Sequence, residues 1–257
     1  MNWDLVTADK LTREQLDALF DDDIAAIQIP HFVDEHTRDA AVKGIRARGF
    51  DYYRDVDPPI GRIGITQFEH RHDTSSRIEY FRLARAATAE REAMFDGSGD
   101  IVGLVIEALE AVWPGAVTLA GEPDGATYFA GLVRVITEGL LHCDWAPFDA
   151  PSWAIGAVDA QITWNLYCQL PATGGTTVVY RRRWEPEAET QHIVDSYGYS
   201  EALVAGCPSV RIQPTPGSLV FFNSRNFHRI ERSGGDLRIS VSSFVGRFRD
   251  GRLALWS

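Results

Sequence analysis

The sequence predicts a mainly β protein with flanking helices, its core a double-stranded β-helix of the jelly-roll, cupin-like kind. Three observations lead there. After Pro114 the chain becomes a series of short runs rich in Val, Ile, Thr, Tyr and Phe, punctuated by Gly, Pro and Asp. No long helical pattern separates these runs, which argues against a parallel βαβ sheet. The helical periodicity lies instead in the first 115 residues. We expect one domain over residues 1–257, with 1–115 a mainly helical flank and lid segment and 116–257 the jelly-roll core.

Taken in order, Thr12 and Gln15 have the spacing of a capping box, and Leu16, Leu19 and Phe20 form the apolar stripe of a first helix. Ile24 to Ile29 is a short apolar run closed by Pro30, read as a strand, and Asp34 opens a second helix ending near Arg48. Between Phe50 and His72 an irregular segment carries PPIGRIG; connections of that length often serve as lids. Thr74–Phe95 and Asp100–Trp113 follow as helices, the second with Ile101, Leu104, Val105, Ala108, Leu109 and Val112 turned inward. Strands are expected near 117–120, 127–137, 140–145, 160–169, 175–181, 209–213, 218–222, 227–232, 237–247 and 252–256. The polar stretch Glu185–Cys207 interrupts them as a helix-and-loop excursion. Gly174-Gly175 reads as a hairpin turn and Arg181-Arg182-Arg183 as a solvated strand end.

Composition narrows the partners. A formal charge of −11 and an acidic pI near 5.1 repel phosphate backbones, so no nucleic acid is expected. The cysteines Cys143, Cys168 and Cys207 are scattered and form no CxxC pair, which fits a reducing compartment. The N-terminal MNWDLVTADK lacks the apolar run of a signal peptide, and no stretch reaches the roughly 18 apolar residues of a membrane span. A cytoplasmic protein acting on a small molecule is the expectation.

Among the histidines, His142 and His228 stand in informative company. His142-Cys143-Asp144 is an H-x-D at a strand or its end, and residues two apart on a strand share a face. His228 lies in the strand-rich half, where a barrel can bring it alongside. Two imidazoles and a carboxylate on one face suit a non-haem Fe(II) with open positions. Ten residues after His228, Arg238-Ile239-Ser240 places a guanidinium fork beside a hydroxyl, an arrangement suited to capture of a carboxylate. Against these stand plainer readings: a hydrogen-bonded core histidine, and a solvated strand arginine. The apolar neighbours Leu237, Ile239, Val241 and Phe244 argue against the second.

H-x-D, a distal His and R-x-S together resemble the Fe(II)/2-oxoglutarate-dependent oxygenases. The resemblance extends to the subgroup of carrier-independent halogenases that act on hapalindole-type alkaloids and on free lysine, and to its hydroxylases. It is carried by LVRVITEG, NLYCQLPATGGTTVVYRRRWEP, PGSLVFFNSRNFHRI and SSFVGRFRDGRLALWS, within residues 127–257. It implies that His142, Asp144 and His228 bind Fe(II), that Arg238 with Ser240 binds the distal carboxylate of 2-oxoglutarate, and that O2 is consumed. Arg134 and Asn165, on core strands, are candidates for the C1 carboxylate. One departure bears on the chemistry. The halogenases carry Gly or Ala where this chain has Asp144, and that vacancy admits chloride; Asp144 fills it, so oxygenation is expected and not halogenation.

The expected enzyme is therefore a 2-oxoglutarate- and Fe(II)-dependent dioxygenase that takes hydrogen from an aliphatic C–H of a free amino acid or derivative in secondary metabolism, with hydroxylation as the outcome. Desaturation or radical cyclisation follows from the same ligands if the substrate radical is held differently. A non-redox cupin-like metal protein and a zinc hydrolase are the alternatives from other classes. For substrate contacts, Arg62, Gln67, Glu69, His70 and His72 come from the lid segment. Trp145, Phe148 and Trp153 either wall the pocket or fill the core. Cys143 is expected to turn away from the metal by strand alternation.

Overall fold

A computed structural model describes residues 2–54, 56–71 and 73–257. The larger sheet contains β1 (Leu5–Thr7), β2 (Ala26–Ile29), β3 (Asp51–Tyr52), β4 (Ile60–Ile63), β5 (Val117–Leu119), β6 (Leu132–Ile136), β8 (Ala160–Gln169), β11 (Leu219–Phe222), β13 (Ile239–Arg247) and β14 (Leu253–Trp256). The smaller contains β7 (Gly139–His142), β9 (Thr177–Arg183), β10 (Ser209–Ile212) and β12 (Asn226–Ile230). The large sheet runs β1-β2-β11-β8-β13-β6-β4-β3, with β14 and then β5 added alongside β13; the small one runs β10-β9-β12-β7. From β6 to β13 the strands alternate between the two, except that β9 and β10 share the smaller sheet, and this alternation makes the jelly roll.

Helices α1 (Arg13–Phe20), α2 (Glu35–Arg48), α3 (Thr74–Met94) and α4 (Ile101–Glu110) flank the sheets. Their starts follow the sequence: Thr12 and Gln15 make both bonds of the capping box, and Asp34 and Asp73 accept from Thr37 and Ser76 backbone N–H groups. Leu16, Leu19, Ile45, Val105 and Leu109 pack with Trp164, Leu166, Val241 and Val245 in one core beneath the large sheet. A second, aromatic core joins Tyr80, Tyr128, Trp153 and Trp256, and a third joins Tyr167, Val179, Val220 and Phe222. No helix among the described residues is long and apolar enough to cross a membrane.

Two expectations require correction. The segment 50–72 is not a free lid throughout, because Ile60–Ile63 extends the large sheet by pairing with β6, Arg62 opposite Arg134. Gly174 and Gly175 do not turn a hairpin: β8 and β9 lie in different sheets, and these residues, at φ +70° and +73°, carry the chain between them. The left-handed backbone brings Gly175 close over Pro171 and Arg238, where a Cβ would meet Pro171 Cγ at 2.8 Å. The excursion at 185–207 contains two 3-10 turns, Pro186–Gln191 and Glu201–Val204.

Candidate active site

β12 lies between β9 and β7, and its register sets His228 directly opposite His142. The two rings are 4.2 Å apart between centroids. Each imidazole is oriented the same way: His142 Nδ1 lies 2.7 Å from Leu140 O, and His228 Nδ1 2.9 Å from Asn226 O. A carbonyl only accepts, so both Nδ1 atoms carry the proton and both Nε2 lone pairs are left for a ligand. Burial, reinforced by the neighbouring His142 and opposed by Asp144, pushes the His228 pKa down to about 3, which keeps the ring neutral.

Asp144 arrives by a different route from the one strand alternation implies. β7 ends at His142, and Asp144 stands two residues beyond it. Its backbone is fixed instead: Asp144 N donates to Ser224 O, and Asp144 O accepts from Gln161 Nε2 and Ser224 Oγ. Asp144 Oδ2 thereby lies 3.9 Å from His142 Nε2 and 3.5 Å from His228 Nε2, and one ligand atom from each residue falls within 4.8 Å of the others. Two imidazoles and a carboxylate fit a first-row divalent metal. Because alternation stops at His142, Cys143 borders the same cavity instead of turning away from it, and burial raises its thiol pKa.

Arg238 is 2% exposed. Its Nε donates to Gly175 O, and its Nη2 to Tyr167 Oη and Thr177 Oγ1, each at 3.1 Å. All these acceptors are neutral, and no carboxylate pairs it among the described residues. Ser240, opposite Tyr167 on β8, is fully buried, and its Oγ has no partner. A buried guanidinium lacking an anion beside an unsatisfied hydroxyl fits a carboxylate ligand. Arg134, opposite Ser240 on β6, also has a buried Nε without a partner. Asn165 shares this inner face but stands off the wall of the main cavity, as do Arg238 and Ser240.

That cavity, about 1280 Å³, opens onto His142 and Asp144. Arg62, Gln67, His70, Trp145 and Phe148 all line it, whereas Trp153 packs into the aromatic core with Tyr80 and Tyr128. His72 lies outside the described residues. Arg62 is engaged by Glu69 at 2.8 Å and by Gly64 O. His70 Nδ1 lies 3.0 Å from Thr66 O, and Phe148 stacks on Trp184. Asp149, held by Arg71 at 2.8 Å, has its pKa raised to about 6 by burial, with Arg71 opposing.

Sequence reasoning missed Gln161, which fixes Asp144, and Tyr167 and Thr177, which hold Arg238. It also missed Asp149 and Glu189 on the cavity wall. Only Tyr167 had a usable signal, since it lies two residues past Asn165 on the same strand face.

Comparison with known proteins adds the family. A family model described as carrier-protein-independent halogenase WelO5 matches residues 69–257, so the likeness reaches back through α3 beyond the part legible in the sequence. The chain is similar to the Leucinostatins biosynthesis cluster protein S of Purpureocillium lilacinum, 40% identical over 206 residues, covering 76% of this chain and 83% of the relative. It is also similar to the L-gamma-glutamyl-L-propargylglycine hydroxylase of Streptantibioticus cattleyicolor, 28% identical over 98% of this chain and 95% of that one. In fold it is similar to an N-substituted L-amino acid dioxygenase from Burkholderia ambifaria AMMD, with TM-score 0.68 and 19% identity over 95% of this chain and 91% of that one.

Proposed function

The chain belongs to the carrier-protein-independent halogenase WelO5 family and is an Fe(II)- and 2-oxoglutarate-dependent dioxygenase, and from this premise we propose that it hydroxylates an aliphatic C–H of an amino acid derivative in secondary metabolism. The observation that carries the reading is the meeting of His142, Asp144 and His228 at one point, beside a cavity whose wall includes His142 and Asp144. These three hold the iron, each through one atom, which leaves open positions for the cosubstrate and O2. Arg238 and Ser240 take the distal carboxylate of 2-oxoglutarate, and Arg134 and Asn165 attend its C1 end. Iron and 2-oxoglutarate, when bound, supply the oxidising power to remove hydrogen from an unactivated C–H, with succinate and CO2 as co-products.

The protein's own part is placement. Gly175, Tyr167 and Thr177 fix the Arg238 fork before any ligand arrives, so little side-chain freedom is lost on binding. Gln161 and Ser224 hold the Asp144 backbone, which keeps its carboxylate at the position that a small residue leaves open in the halogenases it resembles. That occupancy supports oxygen transfer over halogen transfer. Trp145 and Phe148 give the substrate an apolar wall that excludes water, and Arg62, Gln67 and His70 give it polar contacts. The relatives named for a glutamyl dipeptide and for a biosynthesis cluster support a small amino acid derivative. The chain works as one domain in the cytoplasm, where its three unpaired cysteines stay reduced.

Succinate formation with Fe(II), 2-oxoglutarate and ascorbate, followed by mass analysis of the products, tests the proposal. One added oxygen is expected. Loss of two hydrogens would replace hydroxylation by desaturation or cyclisation, and a chlorinated product would overturn the role given to Asp144.

A further inference from the structure

Two residues on the cavity wall have polar capacity that the protein leaves unused. Gln67 is 6% exposed, and its Oε1 is buried without a partner. Its backbone N–H donates to Ser257 O, but its side-chain amide makes no hydrogen bond among the described residues. Leaving such a group unsatisfied is costly, since its water contacts are lost and nothing replaces them. Nearby, Arg62 pairs through its terminal nitrogens with Glu69 and Gly64 O, leaving its Nε unpartnered, and His70 Nδ1 meets Thr66 O, so neither offers the Gln67 amide a partner. An amide offers a donor and an acceptor side by side, and the ligand group that satisfies both at once is another amide.

Glu189 comes from a separate segment, the 186–191 turn. Its Oε1 accepts from Trp184 Nε1 and Tyr199 Oη, both at 2.6 Å, which fixes the carboxylate. Oε2 has no partner, and no cation pairs the residue among the described residues. The other acids of the wall are accounted for. Glu69, Glu90 and Asp149 pair with Arg62, Arg48 and Arg71; Asp144 belongs to the triad, and Asp195 is exposed. Glu189 is thus a rigid anion on the wall without a counterion. The cavity, about 1280 Å³, also exceeds the roughly 300–1,000 Å³ that houses drug-sized ligands, so a lone amino acid would leave most of it empty.

We infer that Gln67 and Glu189 read the substrate, Gln67 pairing with an amide group and Glu189 with an ammonium group, so that the substrate is an amide-linked amino acid bearing a free amine. The inference rests on the reading that this cavity takes an amino acid derivative. It excludes two neighbours of that class, a free amino acid and an N-acylated one.

The test is calorimetric titration of the Fe(II)- and 2-oxoglutarate-loaded enzyme without oxygen. The probes are a panel of free L-amino acids, their glycyl and γ-glutamyl dipeptides, and the N-acetyl forms of those dipeptides. Dipeptides should bind about tenfold more tightly than the parent amino acids, and N-acetylation should remove most of that gain. Glu189→Gln should weaken the dipeptides about tenfold and leave their N-acetyl forms unchanged. Gln67→Leu should weaken both sets alike, with 2-oxoglutarate affinity unaltered in both variants. Because Gln67 is buried, the same contact is also probed in the wild-type protein by ester analogues, which should bind several-fold more weakly than the amides. Free amino acids binding as tightly as dipeptides would overturn the inference and leave the proposed function standing. If no probe binds, and none stimulates succinate formation once oxygen is admitted, the amino acid reading falls with it.

Discussion

The two faces of β8 and β13 are built on opposite rules. Toward the helices, Ile162, Trp164 and Leu166 alternate with Val241 and Val245 in an apolar layer. Toward the small sheet, the same strands present Thr163, Asn165, Tyr167, Ser240 and Ser242. An antiparallel sheet with one wet face turns its polar residues to water. Here both faces are covered, yet the inner one collects the polar residues of the candidate site. The outer face packs the core, the inner face gathers those polar groups, and the two should respond differently to substitution.

The largest contrast is expected at the triad. Asp144→Ala or His228→Ala should reduce turnover by about a thousandfold or more, through loss of a metal ligand and not of the fold. Parallel chemical denaturation should move the Asp144 variant by less than about 1 kcal/mol. Trp164→Ala, on the outer face, should do the reverse, costing about 3–5 kcal/mol of stability in the same denaturation experiment while soluble protein keeps its affinity for 2-oxoglutarate. Arg238→Lys keeps a charge on the inner face but loses the planar fork, so the KM for 2-oxoglutarate should rise about tenfold or more. An unchanged KM would remove Arg238 from the cosubstrate site and blur the division between the faces.

The smallest effect sharpens the contrast through pH. Asp149 holds its proton up to about pH 6 in the folded protein, against an ordinary 3.8. The unfolded chain releases that proton first, so the stability contributed by Asp149 is full below about pH 4 and is lost as pH rises toward 6. Asp149→Asn should flatten this part of the stability profile by an amount on the order of 1–3 kcal/mol. Substitutions of the outer face, such as Ile162→Val, should shift the whole curve and leave its shape alone.

The sequence made some of this legible and concealed the rest for identifiable reasons. His142, Asp144, Arg238 and Ser240 sit in short local patterns, and the ten later strands are bounded by Gly, Pro and Asp, so pattern and period sufficed. β1 has three residues and β3 two, too short for any period to emerge. β4 hides in IGRI just after two prolines, and only its partner β6 defines it as a strand. Gly174-Gly175 has hairpin chemistry, yet whether the flanking strands pair or part depends on the whole roll. Gln67 is legible as a polar residue of the lid segment, whereas Gln161 meets Asp144 and Ser224 only through the fold, and nothing in QITW or EAET announces Gln161 or Glu189.

One detail of the register has a mechanical side. β7 is the last strand of the small sheet, and its pairing with β12 is interrupted by an irregularity between His228 and Ile230. On its other side, little more than Tyr199 N on Leu141 O and Tyr197 Oη on the Leu140 N–H restrain it. An ion shared by His142 and His228 would rivet this weakly laddered strand to its neighbour and bind only the assembled state, so its binding energy adds to the cohesion of the sheet. The catalytic ion is then also a fastener, and a cell short of iron would hold not merely an idle enzyme but one whose Gly139–His142 edge frays and is offered to proteases.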